Sequence, residues 1–176
     1  MWRMPVVCAL ALLGLETTVA SGQSAVDQRM AKTDGARWFS GGSYEVSCEL
    51  TGVQGTQILS VATTARKADE AIRESRRNGV RAILFRGVST NVCKVDPLMR
   101  PSDMNPRLDA YLDKFFAQGG PYLSYVEYVG DEIESRRSVG KEVRIETTVV
   151  VNVQRLRADL EQAGILQSMS DIFRRP

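Results

Sequence analysis

The chain has 176 residues, which is enough for one domain with a substantial core and short for two. Lys and Arg number 23 against 21 Asp and Glu, and the net charge of +2 excludes long-range attraction of nucleic acid or acidic lipid by bulk charge. Histidine is absent, as are the recognisable catalytic, zinc, calcium and nucleotide motifs, so the sequence favours a non-enzymatic protein without a metal or cofactor.

The N-terminus has the layout of a secretory signal peptide. Arg3 precedes an apolar run over 6–15, and small residues follow, with cleavage expected after Ala20 or Gly22. The run is too short for the ~20 residues that a membrane-spanning helix needs. We therefore predict a signal peptide over 1–22, no transmembrane segment after cleavage, and an exported protein that is periplasmic, extracellular or associated with the outer membrane.

Composition divides the rest of the chain into three parts. Residues 23–42 are polar and contain glycine, which predicts a flexible segment, although Trp38 and Phe39 at its end could cover an edge of the core. We predict a single α+β domain over 43–166 and a C-terminal tail over 167–176.

Removal of the leader takes away Cys8 and leaves Cys48 and Cys93. In an oxidising compartment these two cysteines could form a disulfide. The alternative is two separate buried thiols, and the sequence alone leaves both open.

A strand with one buried face is predicted first, because Tyr44, Val46, Cys48 and Leu50 alternate with polar residues. Residues 54–62 could form a second strand or a bent extension of the first. A helix follows, with small side chains at helical spacing that suit close packing on a sheet: Ala68, Ala71, Ile72 and Ser75.

Asn78 and Gly79 predict the end of this helix. The apolar run over 80–88 is typical of a buried strand, and it predicts one there. The segment 65–88 also carries seven basic side chains, several with acidic neighbours on the helix surface, which favours a solvated face over a nucleic-acid groove. Three arginines remain a hypothesis for contact with an acidic partner: Arg76, Arg77 and Arg81.

A long proline-containing connection occupies 87–105, and Asn105 followed by Pro106 predicts the start of a second helix. That helix has an aromatic face and should end at Gly119 and Gly120. Its apolar side chains are Leu108, Tyr111, Leu112, Phe115 and Phe116.

The last third of the chain predicts a strand over 122–129, a charged connection over 130–140 and a long strand over 141–153. The two strands should pair as an antiparallel hairpin. Asn152 is a candidate cap for a final helix that Gly164 ends. Its inward side chains should be Leu156, Leu160 and Ala163.

The predicted order is strand, helix, strand, helix, strand, strand, helix. This order favours an α+β fold, a mainly antiparallel sheet with three helices packed on one face. The first strand–helix–strand portion should cross over with a right hand.

Several segments together resemble a family of small secreted bacterial proteins of uncharacterised function. They are "RRNGVRAILFRGV", the "PL" at 97–98, "FFAQGGPYLSYV" and "VGKEVRIETTVVVNVQRLRADLEQAGI", and the similarity runs over about residues 66–166. More loosely, the strand–helix start and the "V-x-V-x-x-L-x-x-x-L" ending look like assembly modules of flagellar and lipoprotein accessory factors. The resemblance implies export and a single domain, and it brings no catalytic residue.

These observations favour a non-enzymatic interaction or assembly module of the cell envelope, with an envelope protein as partner and no nucleic acid. The contact surface would be a sheet edge or the connection over 87–105. The alternative is a small hydrolase acting on cell-wall or polysaccharide substrate. It would use Asp109 and Asp113, with a sugar-binding row of three tyrosines: Tyr122, Tyr125 and Tyr128.

Overall fold

The computed structural model describes residues 36–39, 44–131 and 133–167. The predicted signal peptide, most of the predicted flexible segment and the tail from residue 168 lie outside these residues. The helices are α1 (Ala36–Phe39), α2 (Ala68–Arg81), α3 (Pro106–Phe115) and α4 (Val153–Gln162). The strands are β1 (Tyr44–Thr51), β2 (Thr56–Ala65), β3 (Val88–Ser89), β4 (Lys94–Val95), β5 (Val126–Tyr128), β6 (Ser135–Val139) and β7 (Glu142–Asn152).

The main sheet has the strand order β1-β2-β7-β5, and β6 pairs with the same side of β7 as β5 does. Strands β3 and β4 form a separate small hairpin. The question left open for residues 54–62 is answered, because β2 is a strand of its own, antiparallel to β1. Every pairing among the described residues is antiparallel, which confirms the α+β fold. The predicted crossover is wrong, because it requires parallel strands.

One face of the sheet carries the core. Leu59 and Val61 of β2 lie beside Val149 and Thr147 of β7, and all four side chains are buried. The helices pack on this face and add five large apolar side chains to the same cluster: Leu108, Leu112, Phe115, Leu156 and Leu160. The opposite face is polar at its centre, where Glu146 accepts hydrogen bonds from the hydroxyls of Ser60 and Ser135.

Helix α2 continues past its predicted end. Gly79 lies inside it, and a Cβ placed there would come within 3.0 Å of Cγ2 of Val149, so glycine lets the helix backbone approach β7 closely. The apolar run then continues as a π-helical turn, Ala82–Arg86, and ends at Gly87 with a φ of 70°. The prediction of a strand over 80–88 is therefore wrong except at β3. The apolar run is buried as expected, but it is buried in a helical conformation.

Two predictions for the last third also need correction. The strand predicted over 122–129 is a 3-10 turn, Pro121–Tyr125, followed by the short β5. The charged connection over 130–140 contains β6, which pairs with β7 through the two-residue turn of Gly140 and Lys141. The antiparallel pairing of β5 with β7 is confirmed.

The predicted starts of α3 and α4 are confirmed, whereas α3 ends at Phe115, before the predicted Gly119 and Gly120. The side chains of Asn105 and Asn152 each accept a backbone N–H three residues on, at 2.9 Å, and so cap α3 and α4. Gly164 takes a φ of 65° just after α4, where the backbone reverses. Ala163 is exposed instead of facing inward, because the helix has already ended at Gln162.

Candidate functional site

The disulfide between Cys48 and Cys93 is present, which answers the question between a bridge and two separate thiols that the sequence left open. Their Cα atoms are 6.0 Å apart, within the range that disulfides normally span. The bond joins positions 45 residues apart and ties the connection over 87–105 to β1.

Hydrogen bonds hold this connection against the domain along its length. The Thr90 hydroxyl donates to the carbonyl oxygen of Cys48 at 3.1 Å. The backbone N–H groups of Leu98 and Met99 donate to carbonyls of the π-helical turn at 3.2 and 2.8 Å, and the Met99 side chain is buried. The connection is therefore part of the folded core and lies beside the β1 edge.

The aromatic pair of α1 covers the core, as predicted. Trp38 stacks on Phe116 with ring centroids 5.4 Å apart, and Phe39 meets Phe85 edge-on at 5.1 Å. These contacts place the short N-terminal helix against α3 and the π-helical turn.

The two carboxylates considered for hydrolysis bind this helix. Arg37 donates to Asp109 at 3.0 Å and to Asp113 at 2.8 Å, and the Trp38 indole N–H donates to Asp109 at 2.7 Å. The pKa of Arg37 is raised above its ordinary value, chiefly by the hydrogen bond to Asp113 and further by Asp109. Both carboxylates thus hold α1 on α3.

We expect Asp109→Ala to lower the free energy of unfolding by about 2 kcal/mol, because the half-buried Trp38 N–H loses a charged acceptor. Asp113→Ala is the matched control on the same helix and should change it by less than about 0.5 kcal/mol, because its pair with Arg37 is exposed. Urea denaturation followed by tryptophan fluorescence measures both. Equal losses would contradict the larger contribution expected of the hydrogen bond between Trp38 and Asp109, and a polysaccharide hydrolase activity that either variant removed would contradict the anchoring role.

The three candidate arginines of α2 each lie over an aromatic ring from another element: Arg76 over Tyr128 (4.8 Å), Arg77 over Tyr122 (5.7 Å) and Arg81 over Trp38 (5.9 Å). Their Nε atoms are buried and have no hydrogen-bond partner among the described residues. The prediction that this helix face is solvated is thus wrong for these three arginines, because their side chains are half-buried and held by stacking on aromatic rings.

The structure brings Arg76 and Arg77 together in a cleft and leaves Arg81 outside it. This basic cleft has a volume of about 480 Å³ and lies between α2 and the turn over 118–123. Four cationic side chains line it, Lys67, Arg73, Arg76 and Arg77, against two acidic ones, Glu70 and Glu74. Glu74 already accepts from Arg77 at 2.8 Å. Within the described residues, the other three cations have no ion pair.

The three tyrosines considered for sugar binding do not form an exposed row. Tyr122 is buried, and Tyr122 and Tyr125 belong to the 3-10 turn instead of a strand. The Tyr128 hydroxyl donates to a backbone carbonyl of α2 at 2.6 Å, and the Tyr125 hydroxyl donates to Asp159 at 2.9 Å. Burial, with the hydrogen bond to Asp159, raises the pKa of Tyr125 to about 12. All three rings act in packing.

The side of β7 that carries β5 and β6 ends in an exposed edge. Four of the five residues of β6 are exposed, and among them Arg136 and Arg137 have no ion pair with any described residue. Arg137 lies directly opposite Arg144 of β7, whose guanidinium reaches away to Glu45 at 2.7 Å. The hydrogen bond from Arg144 lowers the pKa of Glu45. Three exposed aliphatic residues lie in or beside this edge: Val129, Ile133 and Val139.

The residues that the structure describes contain no group of three or more acidic or cysteine side chains placed to hold a metal ion. Over the same residues, no helix has the length and apolar character needed to cross a membrane. Comparison of the chain with protein-family models, with curated proteins and with solved structures finds no match. The interpretation of the surfaces therefore depends on their own geometry and chemistry.

Proposed function

We propose that this protein is an exported, non-enzymatic interaction module of the bacterial cell envelope that takes an extended segment of a partner protein onto its β5–β6 edge. The exposed, cationic strand β6 carries the proposal. The signal-peptide pattern at the N-terminus supports export, and the Cys48–Cys93 disulfide is typical of an oxidising compartment.

An edge strand can accept another strand because its outward backbone N–H and C=O groups are unpaired within the sheet. Among the strands that the structure describes, β6 pairs on one side only, with Glu142–Asn152. The other end of the sheet is less suitable, because the connection held by Cys93 and Thr90 lies against β1 and takes up the carbonyl of Cys48. The β5–β6 edge is thus the better docking surface.

The chemistry of this edge favours an acidic partner. Arg136 and Arg137 are exposed cations, and Arg137 faces the like charge of Arg144 across the strand pair. Glu45 already pairs with Arg144, whereas Arg137 has no acidic partner among the described residues, so a partner carboxylate placed over Arg137 would balance the second charge of this pair. The exposed aliphatic side chains of Ile133 and Val139 offer apolar contacts beside the charges.

The same charges disfavour pairing of two copies through this edge. Two β6 strands side by side would bring four arginines together, and charged residues on edge strands are a common device against self-association. We therefore assign the edge to a partner segment that alternates acidic and aliphatic residues.

The connection over 87–105 was the other candidate contact surface. Deletion of residues 90–104 would remove Cys93 and the buried Met99, and with them the disulfide and part of the core. Loss of partner binding in such a deletion would report unfolding instead of a lost contact, so the edge is tested by side-chain substitution.

A synthetic peptide of alternating valine and glutamate tests the proposal. We expect it to shift the backbone amide resonances of β6 and β5 and to slow the hydrogen exchange of β6. The double variant Arg136→Glu, Arg137→Glu should weaken the binding by about tenfold or more. Arg136 and Arg137 point to opposite faces of β6, so the glutamates of an alternating peptide meet one of them, and that attractive contact becomes repulsive.

The peptide with lysine in place of glutamate is the control ligand, and Arg73→Gln with Arg76→Gln is the control variant, since it changes charge on α2. The proposal is supported if the lysine peptide does not bind and the α2 variant binds the glutamate peptide normally. Equal binding of the two peptides, or resonance shifts on α2 instead of β6, would refute it.

A further inference from the structure

We propose that the basic cleft binds the phosphate group of a small phosphorylated molecule, about the size of a sugar phosphate. This site is distinct from the β5–β6 edge and does not depend on the function proposed for it. Its residues come from α2 and from the turn over 118–123, which lie about 45 residues apart in the chain, so the cleft exists only in the folded protein.

The charge of the lining selects an anion. Lys67, Arg73 and Arg76 have no acidic partner among the described residues, and Glu74 neutralises Arg77 alone. Of the described residues in the lining, Glu70 is the single remaining acid. An anionic ligand would therefore meet an excess of positive charge at this place in a protein whose net charge is only +2.

The guanidinium groups are held in place before a ligand arrives. Arg76 lies over the Tyr128 ring at 4.8 Å, and that ring is fixed by its hydroxyl bond to the Ile72 carbonyl at 2.6 Å. Arg77 lies over the buried ring of Tyr122 and is bonded to Glu74. Fixed arginines lose less conformational entropy on binding, and the planar guanidinium matches two oxygens of a phosphate.

The volume of the cleft and its remaining polar groups suit a phosphate ester of a small molecule that carries several hydroxyl groups. The volume of about 480 Å³ exceeds what a lone phosphate needs and lies in the range of small-molecule sites. The Gln118 amide and the Glu70 carboxylate, both in the lining, can accept hydrogen bonds from sugar hydroxyls. A sugar phosphate would thus place its anion on the arginines of α2 and its hydroxyls towards Glu70 and Gln118.

The absence of histidine gives this site a distinctive pH dependence. Because the chain has no histidine, we assign the expected pH dependence to the ligand. A phosphate monoester gains its second negative charge near pH 6, and its affinity should rise from pH 5 to pH 7. Inorganic sulfate keeps its charge over the same range, and its weaker binding should not change.

The test is a titration of the uniformly ¹⁵N-labelled protein with glucose 6-phosphate, inorganic phosphate, inorganic sulfate and glucose. We expect saturable shifts of the amides of residues 73–77 and 118–119 with glucose 6-phosphate, weaker ones with phosphate, and none with glucose. Arg73→Gln with Arg76→Gln should lower the affinity by about tenfold or more. Arg73→Gln alone, at an exposed position, should lower it by a smaller factor without affecting the fold.

The matched control is Arg136→Gln with Arg137→Gln, which removes two positive charges from the sheet edge and should leave the affinity unchanged within about twofold. Equal losses in the two double variants would mean attraction by overall charge and would refute the site. Shifts of the same size with glucose, or no saturation with glucose 6-phosphate, would also overturn it. Failure here leaves the peptide experiment on β6 unaffected.

Discussion

Replacing Cys48 and Cys93 together by alanine is expected to lower the free energy of unfolding by about 4 kcal/mol. The bond closes a loop between positions 45 residues apart, and a cross-link of that span removes many conformations from the unfolded chain. Cys48 is also buried at the edge of the sheet, so both the connection over 87–105 and the end of β1 should loosen. Guanidinium denaturation of the protein and the double variant measures the loss.

Two controls separate the bond from the side chains. Reduction of the unaltered protein should give a similar loss, whereas the double variant should be insensitive to reductant. Denatured, unreduced chains that retain the N-terminus should show one reactive thiol, from Cys8, and three after reduction. Reactive thiols at Cys48 and Cys93 before reduction, or equal stability of the two proteins, would contradict the prediction.

The sequence indicates those elements whose two sides face different surroundings. Strand β7 is predicted almost to its ends, because its core-facing residues, such as Ile145 and Val149, alternate with polar ones. Helix α3 is predicted for the same reason, and its start is marked by the local chemistry of Asn105 and Pro106. In both elements a short-range pattern carries the information.

The run after Gly79 has no such two-sided pattern. Ile83 and Leu84 are fully buried, and adjacent buried residues give neither a strand period nor a helix period. Tertiary contacts make this run helical. The π-helical turn offers carbonyl groups to Leu98 and Met99, which come from a connection that the disulfide fixes in place.

Strand β6 was missed for the opposite reason. Its side chains are exposed on both faces, so "SRRSV" shows no alternation of apolar and polar residues. The one local signal is Gly140 with a φ of 62°, in a two-residue turn that places Val139 opposite Glu142. The composition of such an edge strand does not reveal it, and it is identified only from its pairing with the neighbouring strand.

The basic cleft could be predicted only in part. The pattern of α2 placed Arg73, Arg76 and Arg77 near one another on a helix. It could not show that Tyr122 and Tyr128, from later elements, would lie under two of them, because no local spacing links residues about 50 positions apart. The aromatic contacts turn a hydrated helix surface into one wall of a cleft.

Gly79→Leu should lower the free energy of unfolding by about 3 kcal/mol, because the side chains packed against Gly79 would have to shift to accommodate a leucine. The methyl groups of Val149, Val151 and Val61 lie 3.0 to 3.7 Å from the position of a Cβ on Gly79. Leucine has a higher helix propensity than glycine, so the loss would come from packing alone. Arg73→Leu introduces the same residue at an exposed position of α2 and should change stability by less than about 0.5 kcal/mol.

A second background tests the contact itself. In Val149→Ala the Cγ2 atom nearest to Gly79 is gone, so the cost of leucine at position 79 should be smaller there than in the unaltered protein by about 1 kcal/mol or more. Urea denaturation of the four proteins gives this coupling directly. Additive losses would mean that the helix does not approach the sheet at Gly79. The close contact of α2 with β7 also sets the distances of Arg76 and Arg77 from the rings of Tyr128 and Tyr122. Additive losses would therefore also contradict the packing on which the geometry of the basic cleft depends.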